Sequence, residues 1–160
     1  MNKQAKSKTE QNLNEAFAGE AMANRKYLYF AKQARRLGNE EIARLFENIA
    51  EQETAHAFSH LELIYPAQSL TVHKLLELAR DGELYETNQM YPEFERIALE
   101  EKQAQAASEF VAQARESAEH AEVFEQAAKR FHVLAKVEAI HAGRYEDALK
   151  SLDKDSRASA

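Results

Sequence analysis

Cysteine is absent from this chain of 160 residues, which excludes disulfides, iron–sulfur clusters and thiolate zinc sites. Helix breakers are scarce, with four glycines and two prolines. Long apolar runs are missing as well. No stretch approaches the roughly 18 residues that a membrane-crossing helix needs, and the polar residues 1–12 lack the apolar centre of a signal peptide. Basic charge is in deficit: 21 Lys and Arg face 27 Asp and Glu, and a net charge of −6 argues against a nucleic-acid partner. What remains is rich in Ala, Glu, Leu, Gln, Lys and Arg, the residues that favour helix. These features fit a cytoplasmic, all-α protein with one domain, long enough to bury a real core.

The few punctuating residues divide the chain. Ser7 to Glu10 is a capping region for a first helix that carries Leu13, Phe17, Glu20, Tyr27 and Phe30 and stops near Gly38. Asn39 caps a second helix, with Ile42, Leu45, Phe46 and Ile49 as core positions, that ends before Pro66. Residues 66–71 form a crossover. A third helical region begins at Leu75 and is expected to kink near Met90 and Tyr91, where Pro92 removes a hydrogen bond. The stretch from Pro92 to about Leu149 must fold back at least once, and the polar residues 153–160 are expected to fray.

Two short motifs carry the chemistry. Glu53 and His56 are three residues apart, as are Glu138 and His141, so each carboxylate shares a helix face with an imidazole. A Gly-Glu step lies upstream of each pair, Gly19-Glu20 and Gly82-Glu83. One Glu from each of two helices, plus Glu-x-x-His from each of two others, is the ligand set of a carboxylate-bridged di-metal site in a four-helix bundle.

Residues 110–130 and 131–151 read as a tandem duplication, with His120/His141, Phe124/Tyr145 and Glu125/Glu146 corresponding at an offset of 21. The middle copy has Ser117 where the ligand Glu would stand, so the last copy is taken as the metal-binding one. Residues 1–152 then form the bundle, with a helical insertion at about 103–130, before or within the last helix. Turn position remains open on this reading. Glu20 and Glu53 bracket a midpoint beside Gly38, whereas Glu83 and Glu138 bracket residues 110–111, where Ser108 is the one weak turn residue. A turn at Ser117 would make Glu100 the rival of Glu83. His120 with Glu116 is a candidate second metal pair or a structural remnant of the duplication.

With these residues in hand, the chain resembles the rubrerythrin family. The matching stretches are Ala16 to Glu20 with Asn24 and Tyr27, Ala50 to Ala57, Asp81 to Glu86 leading to Met90–Phe94, and Ala135 to Ala142. The resemblance implies a ferritin-like bundle, a non-haem di-iron centre, reduction of hydrogen peroxide and a homodimer. Carried over by position, it implies metal ligands Glu20, Glu53, His56, Glu83, Glu138 and His141. Glu86 matches an additional carboxylate that can join or leave one iron, and Tyr27 and Tyr91 match tyrosines beside the metals, so these three are the catalytic candidates. Ordinary packing is the competing account of both tyrosines. Typical members also carry a small domain with four cysteines; this chain has none, so an external redox protein is expected to supply electrons.

Hard carboxylates and imidazoles suit two iron ions, and the same ligands would accept manganese or zinc. Two functional rivals stand beside the peroxidase. One is a ferroxidase or iron-handling protein that uses oxygen, the other a non-catalytic helical interaction module.

Overall fold

The computed structural model describes residues 7–158, with side chains for 7–147, 149 and 150. The described residues are almost wholly helical and contain no strand. They divide into two compact units, Met1–Leu70 and Thr71–Ala160.

The first unit is a hairpin of α1 (Lys8–Arg36) and α2 (Glu40–Ile64). At its start Ser7 Oγ accepts from the Glu10 N–H at 3.1 Å while Glu10 Oε2 accepts from the Ser7 N–H at 2.7 Å, a reciprocal cap. The turn is where Gly38 predicts it. Gly38 has φ +80°, and the Asn39 N–H reaches back to the Ala34 carbonyl at 2.9 Å, closing α1 with a left-handed residue that glycine adopts without steric cost. Asn39 Oδ1 then accepts from the Ile42 N–H at 3.1 Å and opens α2.

The helices meet along alanines rather than large side chains. Ala43, Ala50 and Ala57, seven apart on one face of α2, are 0 %, 1 % and 5 % exposed, and Ala43 packs with Ala31 and Ala34 of α1. Small residues let two helix backbones approach closely. That displaces two expected core residues: Ile42 and Leu45 are 39 % and 53 % exposed, while Phe46 packs at the edge of the alanine seam. Tyr27, Phe30 and Phe46 form an aromatic trio there, with Phe46 6.0 Å from Tyr27 and 5.6 Å from Phe30.

A short 3₁₀ turn, Ala67–Ser69, precedes the second unit. Thr71 caps α3 (Val72–Tyr85), which passes through a π-helical turn, Glu86–Met90, into α4 (Tyr91–Glu100). The expected kink is therefore a widened turn. The Tyr91 N–H bonds the Glu86 carbonyl five residues back, and Pro92, in the first turn of α4, lacks an N–H and needs room for its ring against the preceding turn.

The chain folds back at residues 101–103, not at 110 or 117. Lys102 takes φ +59° and the Gln103 N–H reaches the Ala98 carbonyl at 2.8 Å, the same closure as at Gly38 with lysine in the left-handed position. From there α5 runs unbroken from Ala104 to Ala158. The segment read as an insertion, about 103–130, is instead the part of α5 that packs on α3 and α4, with Ala107, Ser117, Ala121 and Ala128 buried. Every described side chain from 131 to 150 is exposed. The helix also continues past residue 153, where fraying is expected; residues 159 and 160 lie outside the described ones.

The two units repeat one pattern. Tyr27, Phe30, Ala34, Gly38, Ala43, Phe46, Ala50 and Ala57 recur 64 residues later as Tyr91, Phe94, Ala98, Lys102, Ala107, Phe110, Ala114 and Ala121. The second aromatic trio is built like the first, with Phe110 6.2 Å from Tyr91 and 5.5 Å from Phe94. Upstream of the π turn the offset is 63, as in Gly19/Gly82 and Glu20/Glu83. The π turn absorbs the one extra residue.

Candidate metal centre

In the first unit, α1 supplies Glu20 and α2 supplies Glu53 and His56. His56 Nδ1 lies 3.0 Å from Glu53 Oε2 and 3.8 Å from Glu20 Oε2. One donor atom from each of the three falls within 4.8 Å of the others, the only such trio among the described residues. The neighbouring Glu53 carboxyl, then burial, push the Glu20 pKa up, while Glu20 and then His56 pull Glu53 down. A cation would offset the charge of the two adjacent carboxyls, so this donor set fits a hard, positively charged metal.

One turn along, Asn24 ties the two helices together. Its Nδ2 donates to the Ala50 carbonyl at 2.7 Å and to Thr54 Oγ1 at 2.9 Å. This fixes the register that sets Glu20 opposite Glu53. Asn24 belongs to the resemblance, but its role was not legible in sequence because both partners sit on another helix.

In the second unit, α3 supplies Glu83, and its partner is His120 of α5, with Nδ1 3.5 Å from Glu83 Oε2. Ser117 donates its Oγ hydrogen to Glu86 Oε2 at 2.9 Å. Thr87 donates to the Ala114 carbonyl at 3.3 Å, and Arg80 pairs with Glu125 at 2.8 Å, holding α3 and α5 in register on either side. Tyr91 is partly buried. Desolvation, then the charges of Glu86, Glu83, Glu109 and Glu116, push its pKa up, so the phenol stays protonated. Tyr27 packs in the corresponding aromatic trio of the first unit.

Glu138 and His141 do not join Glu83. They lie on the exposed part of α5, and at 1.5 Å per residue His141 is about 30 Å farther along the helix than His120. The expectation fails on turn position: with the fold-back at residues 101–103, the residues level with Glu83 are Ser117 and His120. Glu100 is no substitute for Glu83. It sits at the end of α4 beside the turn, paired with Arg96 at 2.5 Å. Two signals mark His120: the shared Phe46-x9-His56 and Phe110-x9-His120 spacing, and the 64-residue repeat that makes it the counterpart of His56.

The sequence matches the Rubrerythrin family over residues 11–127, a span that includes both clusters and stops short of Glu138. The chain belongs to the rubrerythrin family. It is 40 % identical over 132 residues to rubrerythrin from Porphyromonas gingivalis, covering 75 % of this chain and 66 % of that protein. To nigerythrin from Nitratidesulfovibrio vulgaris it is 37 % identical over 132 residues, covering 75 % and 65 %. A solved structure of fully reduced, all-ferrous nigerythrin aligns over 81 % of this chain and 70 % of that one, with 34 % identity and a TM-score of 0.40. The chain thus spans slightly under two thirds of the length of those curated relatives. Rubrerythrins are di-iron proteins, in keeping with the carboxylate–imidazole donors found here. No helix among the described residues is long and apolar enough to cross a membrane.

Proposed function

We propose that this chain reduces hydrogen peroxide to water, with one iron held at Glu20, Glu53 and His56 and a second at Glu83, Glu86 and His120. The observation that carries the reading is the convergence of two carboxylates and an imidazole within 4.8 Å in a chain of the rubrerythrin family. Bound iron would supply the electrons: two ferrous ions give one each, so that one peroxide and two protons become two waters. The carboxylates would offset the metal charge. Tyr91, kept neutral by burial and its acidic neighbours, holds a hydrogen-bond donor beside Glu86. Glu86 is the carboxyl placed to relay protons, because it faces a hydroxyl rather than a cation.

With no cysteine in these 160 residues, electrons arrive from a redox group outside them. An external redox protein is the donor in this reading, and the working protein is a homodimer in the cytoplasm. The test is anaerobic loading with ferrous iron followed by rapid mixing with peroxide or oxygen. Two irons per chain, oxidised by one peroxide per pair and far faster than by oxygen, is the expected result. Oxidation by oxygen at an equal rate would make iron handling the better reading, and absence of tight metal would favour a helical interaction module.

A further inference from the structure

Ser117 is buried, with 5 % exposure, and it occupies the place in the second unit that Glu53 holds in the first. Each stands three residues before its imidazole, His120 or His56, and the two are 64 residues apart, the offset that relates the units beyond the π turn. In the first unit this position brings a carboxylate to 3.0 Å from the imidazole. In the second it brings a neutral hydroxyl, and that hydroxyl is turned toward Glu86, not toward the Glu83–His120 pair. Glu86 begins the π turn, one helical turn beyond Glu83, and has no counterpart in the first unit, where the aligned positions are Met22 and Ala23. Three donors converge in the first cluster. Among the described residues no such trio forms around Glu83 and His120.

We infer that Ser117 makes the two metal positions of this chain unequal: it replaces a ligand carboxylate and tethers Glu86 away from the Glu83–His120 pair. The inference rests on the di-metal reading above. A metal binds first at Glu20, Glu53 and His56, where the donors already converge. Binding at Glu83 and His120 follows only when the Ser117–Glu86 hydrogen bond breaks and Glu86 swings in as the third donor. Ser117 is a positioning residue, acting on the metal through Glu86.

Anaerobic calorimetric titration with Co(II), a redox-stable probe for ferrous iron, tests this without reference to activity, with the visible Co(II) bands as a second readout. Wild type should show two classes of site separated by at least about tenfold, since groups that only orient a ligand already change metal affinity by ~10–100-fold. H56A should remove the tight class and H120A the weak one. S117E should draw the two affinities together by restoring the missing carboxylate. S117A, which keeps the buried position small and so guards against a folding failure of S117E, should narrow the gap by freeing Glu86. Two equal sites in wild type, or a gap that widens in S117A, would overturn the inference while leaving a di-metal protein. No Co(II) binding at all would overturn both it and the reading on which it rests.

Discussion

The substitution His120→Ala, set beside His141→Ala, separates the sequence motif from the folded site. Both imidazoles belong to copies of the same 21-residue segment, and the last copy alone retains a complete Glu-x-x-His. Structure divides them. His120 Nδ1 lies 3.5 Å from Glu83, whereas His141 sits 21 residues on along an unbroken helix, about 30 Å away, among exposed side chains. Changing a group that merely orients a ligand costs ~10–100-fold in metal affinity. Removing the donor itself should cost at least about 100-fold, or about 2.7 kcal/mol, in the weaker of two binding steps. His141→Ala should leave both steps within about twofold of wild type. Equilibrium metal titration reads the constants, and circular dichroism confirms that both variants keep their helix. If His141→Ala abolished a binding step while His120→Ala did not, the placement of the site on the proximal part of α5 would be refuted.

Asn24→Ala should destabilise the first unit by roughly 1–3 kcal/mol, because the Ala50 carbonyl and Thr54 lose a partner at a half-buried seam; urea unfolding that matches wild type would remove Asn24 as a clamp. Ala43→Leu, at a fully buried position, should cost about 1–3 kcal/mol by overpacking the helix seam, seen as a lowered Tm; an unchanged Tm would mean that the helices are not closely apposed there. Arg35 holds Glu40 and Glu47 below the ordinary carboxylate pKa of 4.5 through hydrogen bonds of 2.9 Å to each. Carboxylates with lowered folded-state values contribute stability above 4.5 that is lost as pH falls through those lower values, so Arg35→Met should flatten the decline in stability below about pH 4.5. An acid-unfolding profile with the same slope in both proteins would show that the pairs contribute nothing.

Local signals were legible wherever one residue type performs one task. Ser7 with Glu10, Asn39, Gly38 and Pro66 set the first hairpin's boundaries, and with its turn known the pairing of Glu20 with Glu53 and His56 followed from equal distances to Gly38. The same rule misled in the second half because its turn lacks glycine. Lys102 accepts a left-handed conformation that usually costs a non-glycine residue ~1–2 kcal/mol, and nothing in its identity announces this. Without that turn the intact Glu138–His141 motif outweighed the altered Ser117–His120 one.

Composition and spacing by themselves therefore determined an all-helical chain, the resemblance to rubrerythrins, and the donor types needed for a hard metal, since these depend on helix propensity and on residues within a turn of each other. Tertiary structure alone decided which histidine faces Glu83, that Ser117 engages Glu86, and that alanines form the seam. Those outcomes depend on where α5 starts against α3 and α4, and helix register across a hairpin is set by the turn and the packing of distant residues, which no local pattern on α5 encodes.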